Sequence, residues 1–88
     1  MKTLNTMHFS VMVEPTRVPG PHCVFVAGND DEAKRTVRGL LLGFGWPSDS
    51  IIDLGGIEAA RATEGYVPLL SQLIGRYGYD ININVAHP

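Results

Sequence analysis

One cysteine, Cys23, stands in a chain of 88 residues, so no internal disulfide can brace it. Its thiol lies beside Val24-Phe25-Val26 and is expected to be buried and inert. No apolar stretch approaches the ~18 residues that a membrane span needs. Asn5, Thr6 and His8 interrupt the region where a signal peptide would carry an unbroken apolar core. Together these absences predict a cytoplasmic protein without membrane contacts. Basic runs and aromatic-basic interleaving are also missing, and the net charge is −2, which argues against nucleic acid as a partner. The three histidines, His8, His22 and His87, are scattered and share no ligand spacing with the cysteine, so no metal site is expected.

The most informative absence is a glycine-rich phosphate loop. That loop reads G-x-G-x-x-G directly between a strand and a helix, where small residues let the backbone approach a pyrophosphate. Gly43-Phe44-Gly45 has two of the glycines, but it follows a helical pattern and precedes Trp46-Pro47, so it is a helix terminator. Ala27-Gly28-Asn29-Asp30 has the right context but one glycine, and its acids would repel a phosphate. The 88 residues are therefore not expected to hold a dinucleotide or to catalyse a redox reaction alone.

What is present is an alternation of strand and helix patterns. Residues 1–5 read as a strand that starts without an introducing turn, which suggests further sequence upstream. A short helix fits residues 6–13, and Pro15, Pro19, Gly20 and Pro21 then impose an irregular loop. Cys23 to Ala27 is a continuous apolar run, the pattern of a strand covered on both faces. Asn29 with Glu32 three residues later forms a capping-box pattern, and Asp30, Asp31 and Glu32 suit a helix N-terminus. Asp30–Lys34 and Asp31–Arg35 are i,i+4 pairs, and Ala33, Val37, Leu40, Leu41 and Phe44 form the expected buried stripe. Ser50 to Leu54 reads as a strand closed by Gly55-Gly56. A long helix is predicted from Ile57 to Gly75, with Ile57, Ala60, Val67, Leu70 and Ile74 inward and a kink at Gly65 and Pro68. Asp80 to Val85 alternates strictly and predicts a last strand at the rim of the sheet. The order β-α-β-α-β-α-β gives one layered α/β domain with an at least partly parallel sheet.

Few constellations carry chemistry. Lys34, Arg35 and Arg38 read as a solvated helix face. Glu58, Arg61 and Glu64 read as a surface ion-pair ladder of little energetic weight. Ser10, His8 and Asp53 make a triad only on paper. Asn5, Thr6 and Met7 sit at the C-terminal end of a strand, the edge at which open α/β sheets bind ligands, although residue chemistry alone favours Asn5 or Thr6 as a cap of the helix that follows.

Lys2-Thr3-Leu4-Asn5-Thr6-Met7, Val24-Phe25-Val26-Ala27-Gly28-Asn29-Asp30, Phe44-Gly45-Trp46, Ile52-Asp53-Leu54-Gly55 and Ala60-Arg61-Ala62-Thr63-Glu64 occur in one order. In that order they resemble the C-terminal half of the NADPH-dependent deazaflavin reductases and their dinucleotide-binding relatives. The resemblance implies a partial Rossmann-like three-layer unit with a mixed sheet, residues 1–88 forming the second half of a dinucleotide-binding domain. It implies NADP(H) as the cofactor of the complete enzyme, with Asn5, Thr6 and Met7 near the nicotinamide and Arg61 and Glu64 near the same cleft. It also implies a truncated oxidoreductase-like chain, no catalytic residue and no cofactor for the chain alone. A separate N-terminal half, or a second copy joined through an exposed sheet edge, is the expected partner. The alternative function is a non-catalytic oligomerisation or partner-binding module.

Overall fold

A computed structural model describes residues 2, 3, 7 and 9–88. Three strands form the sheet, in the order β1-β2-β3. Strand β1 (Lys2–Thr3) runs antiparallel to β2 (Val24–Ala27), with Lys2 opposite Ala27 and Thr3 opposite Val26. Strand β3 (Ile51–Asp53) runs parallel to β2, pairing Val24 with Ile51, Phe25 with Ile52 and Val26 with Asp53. Helix α1 (Phe9–Val13) precedes a 3-10 turn at Pro15–Arg17, and helix α2 (Asp31–Gly43) makes the crossover between the parallel strands. After β3 come a 3-10 turn at Ile57–Ala59 and helices α3 (Ala60–Gly65) and α4 (Val67–Tyr77).

Strand β2 is the hub. Successive side chains of a strand point to opposite faces. Val24 and Val26 enter a buried cluster with Met7, Val11, Leu41, Trp46 and Ile51, against which Met12, Val18 and Val37 pack. Phe25 points the other way and, with Ala62, Thr63 and Tyr66, borders a cavity under α3. Helices α2 and α3 therefore cover opposite faces of the sheet. The continuous apolar run at 23–27 is explained by this double cover, and Cys23 is buried as expected.

Trp46 is the largest fully buried side chain, and its indole Nε1 donates to the Met12 carbonyl at 2.9 Å. His22 packs edge-on to it, ring centroids 5.0 Å apart. The His22 Nε2 donates to the Pro15 carbonyl at 2.7 Å, and its Nδ1 accepts from the Asn82 amide at 2.8 Å. Both nitrogens are thereby committed, and the ring is held in one orientation. A histidine that the sequence left scattered is a locked part of the core.

Four expectations need correction. The N-cap of α2 is Asp30, not Asn29: the Asp30 carboxylate accepts from the Glu32 and Ala33 amides, while Asn29 is drawn to the loop after β3. The predicted stripe of α2 narrows to Leu41, with Ala33 and Val37 half-buried and Leu40 and Phe44 exposed, because a thin sheet covers little of a 13-residue helix. The long helix 57–75 is three pieces rather than one kinked rod. The chain breaks at Tyr66, so Pro68 falls in the first turn of α4, where a missing N–H costs nothing. Finally, residues 80–85 form no strand. Asparagine side chains displace the backbone ladder there: Asn82 Nδ2 donates to the Cys23 carbonyl at 2.8 Å, and Asn84 Oδ1 accepts from the Cys23 thiol at 3.2 Å. The Cys23 amide also donates to the Ile83 carbonyl at 2.9 Å.

Helix α2 turns back at Gly45, whose φ of 104° is open to glycine and strained for other residues. Its two adjacent leucines separate burial from propensity. Leu41→Ala should destabilise the domain by about 2–5 kcal/mol, whereas Leu42→Ala, 45% exposed in the native chain, should change stability by less than about 0.5 kcal/mol. Urea unfolding followed by tryptophan fluorescence compares the two.

Candidate functional site

Parallel strands of an open sheet present their ligand-binding edge at their C-terminal ends. Here those are the ends of β2 and β3, and the loops leaving them are tied together. The Leu54 amide donates to the Val26 carbonyl at 2.8 Å, and the Gly28 amide donates to the Gly55 carbonyl at 2.9 Å. Asn29 Oδ1 accepts from the Ile57 amide at 3.0 Å. Gly56 makes this bridge possible, since a Cβ there would lie 2.7 Å from Asn29 Oδ1.

Asp53 organises the floor of this edge. Its Oδ1 accepts from the Gly55 amide at 2.8 Å and from Lys34 Nζ at 3.0 Å, and Lys34 also donates to the Gly55 carbonyl at 2.8 Å. The Gly55 amide, then Lys34, holds the Asp53 carboxyl below its ordinary value. Lys34 was expected to pair with Asp30, but Asp30 is occupied as the helix cap and Lys34 reaches across to β3 instead. Arg38 donates to the Ser48 hydroxyl and carbonyl. Val26, Asp31, Lys34, Arg35, Arg38, Ile51 and Asp53 border a groove of about 260 Å³. With Lys34 and Arg38 spent on internal partners and two carboxylates in its wall, this groove remains a solvated helix face.

The strand-helix turn Ala27–Asp30 does not fit a pyrophosphate. Two of the first-turn amides of α2, which would have to bind it, are taken by the Asp30 carboxylate. Among the described residues the edge offers fixed backbone geometry, the Lys34–Asp53 ion pair, and no acid or base poised for proton transfer. Among the described residues no group of three His, Cys, Asp or Glu could hold a metal ion, and no helix is long and apolar enough to cross a membrane.

Of the residues singled out by resemblance, Asn5 and Thr6 lie outside the described residues. Met7 is buried in the α2-side cluster. Arg61 and Glu64 lie exposed on α3, across the sheet. The Lys34–Asp53 lock and the Asn29–Ile57 bridge were not visible in the sequence, where their members stand 19 and 28 positions apart. The only signal was an aspartate and an asparagine placed at strand ends.

These features define a small α/β unit whose parallel strand ends face one edge, the arrangement open sheets use for ligands. No protein-family model matches the chain, and no curated protein does. The crystal structure of a proposed F420-dependent NADP reductase from Arthrobacter sp. FB24 does match, with a TM-score of 0.88 and 44% sequence identity over 98% of this chain. The resemblance to the deazaflavin-dependent NADP reductases is thereby established over nearly all of these residues. The match takes in 39% of the Arthrobacter chain, so these residues span about two-fifths of its length.

The Asp53 lock has a pH signature. Its carboxyl is held below the unfolded value, so the stability it contributes is present above about pH 4 and lost as pH falls through the lower folded value. Asp53→Asn should therefore lower the urea midpoint at pH 7 and flatten its decline below about pH 4. Urea titrations from neutral to strongly acidic pH compare the two slopes.

Proposed function

We propose that these 88 residues supply one part of an NADP-dependent oxidoreductase related to the Arthrobacter protein, and that they do not hold NADP(H) by themselves. The observation that carries this reading is the 44% identity over almost the whole chain, set against a relative more than twice as long. The capped N-terminus of α2 adds a physical reason, since it leaves a dinucleotide without phosphate contacts here. The contribution to the complete site is the strand-end edge of β2 and β3; Asn5 and Thr6, which follow a strand antiparallel to β2, are assigned on the family resemblance alone as neutral polar groups beside a cofactor ring. Arg61 and Glu64 are assigned to the same cleft. Hydride transfer needs two rings held close with water excluded, so neutral residues are adequate there. Met7 contributes by packing, so removing it would test the core rather than the cofactor site.

Calorimetry with NADPH should show a Kd weaker than about 1 mM for the 88 residues alone. Co-expression with the part of the Arthrobacter protein that they do not match should restore binding, and Asn5→Ala should weaken the restored complex. Low-micromolar affinity for the 88 residues alone would overturn this reading.

A second reading, association of copies of the chain, is favoured by α4. Its side chains Val67, Leu69 and Tyr77 are 42%, 55% and 64% exposed, and only Leu70 is buried. Strand β3 also has a single neighbour, β2, among the described residues, and open strand edges invite pairing. Light scattering at high concentration should give twice the monomer mass or more, and Leu69→Lys should shift it towards the monomer.

A further inference from the structure

The segment after α4 is joined to the start of β2 through one asparagine. Asn82 Nδ2 donates twice at 2.8 Å, to the Cys23 carbonyl and to Nδ1 of the buried His22. The Cys23 carbonyl fixes which end of the amide faces it, because only the NH2 end can donate. An amide nitrogen has no lone pair to offer, so Nδ1 accepts for as long as this bond is made, and the proton of the ring lies on Nε2, facing the Pro15 carbonyl at 2.7 Å. A second proton would have to go on Nδ1, where it would point a donor at a donor. Turning the amide over would offer Oδ1 to that proton, but would set the oxygen against the Cys23 carbonyl. It would also leave Nδ2 where Oδ1, buried and without a partner among the described residues, now lies. Every arrangement of a charged ring therefore loses a bond that holds the terminal segment.

No neighbouring carboxylate offsets this loss. Glu14 and Arg17, on the turn around Pro15, pair with each other at 3.0 Å, and Arg17 lies 3.9 Å from Asp80 on the terminal segment. Asp49, in the turn after Trp46, and Tyr79, after α4, are exposed. The Cys23 thiol donates to Asn84 Oδ1 at 3.2 Å. Among the described residues no carboxylate forms an ion pair with His22.

We propose that His22 is an acid-release latch: a proton added at Nδ1 breaks the Asn82 bond and frees residues 80–88 from the start of β2. Histidine ordinarily changes charge between pH 5 and 8. The released form takes up a proton for which the closed form has no acceptor. The latch is therefore shut above that range and weakens as the pH falls through it. Release uncovers Cys23 and removes Ile83 from the wall of the cavity under α3. None of these groups belongs to the strand-end edge, so the latch operates whether or not a cofactor binds there.

Hydrogen exchange of the Cys23 amide, which donates to the Ile83 carbonyl, reads the latch. Corrected for the intrinsic exchange rate, its opening constant in the 88-residue chain should rise roughly eight-fold from pH 7 to pH 5.5, the change that one histidine with an ordinary released-state value of about 6.5 produces. His22→Phe, which keeps a ring beside Trp46, should abolish the rise. Asn82→Ala should leave the Cys23 amide unprotected at both pH values. His87→Gln should keep the native rise, since that ring bonds the adjacent Pro88 carbonyl and is exposed. An opening constant independent of pH in the native chain, a rise that survives His22→Phe, or native protection in Asn82→Ala would each overturn the proposal. Should His22→Phe fail to fold, the imidazole carbon shifts of the native chain decide: they should move in step with the opening of Cys23. A His22 ring that titrates while the Cys23 amide stays protected would sink the latch.

Discussion

The register of β2 is the constraint on which the rest of the molecule depends. Four residues place Val24 and Val26 against α2 and Phe25 against α3, and a slip of one residue would exchange the two faces. The same register sets Val26 opposite Asp53. That brings the aspartate to the end of β3, within reach of Lys34 on the crossover helix. Helix, strand and both strand-end loops are thus positioned by one short apolar segment. In a domain this small there is little other core to correct an error.

The start of α2 is already occupied by the chain's own residues. A helix N-terminus after a parallel strand would normally be the place for a phosphate. Here Asp30 supplies the negative charge covalently. Asn29, the residue before it, is tied to the next loop, so the turn cannot open around a ligand without breaking the bridge between β2 and β3. The strand-end edge is consequently held in one arrangement by its own hydrogen bonds.

Much of the fold was legible in the sequence, because apolar runs and helix punctuation act locally. The strand at 23–27, the crossover helix and its glycine stop, and the strand at 50–54 all follow from residues within a few positions of one another. The failures share a cause: partners distant in sequence outbid local preference. Asn29 and Asp30 are both good caps, and only the Ile57 amide decides between them. The alternation of 80–85 looks like a strand until Asn82 and Asn84 are seen to satisfy Cys23 with side chains. The break at Tyr66 was signalled by Pro68, but whether a proline bends or restarts a helix depends on packing. The strand-end lock was invisible for the same reason, since nothing near Lys34 in the sequence points to Asp53.

The contact of Asn82 with His22 and Cys23 joins positions about 60 residues apart. Closing so large a loop has an entropic cost recovered only once the Trp46 core and β2 are in place. Asn82 and Asn84 therefore act as a clasp on the start of β2. Being held by a few polar contacts rather than by a strand ladder, it is also where the folded chain first comes undone. Its release would free the imidazole of His22 to reorient beside Trp46. Asn82 thus sets the orientation of a ring in the core from a segment that adds no strand to the sheet.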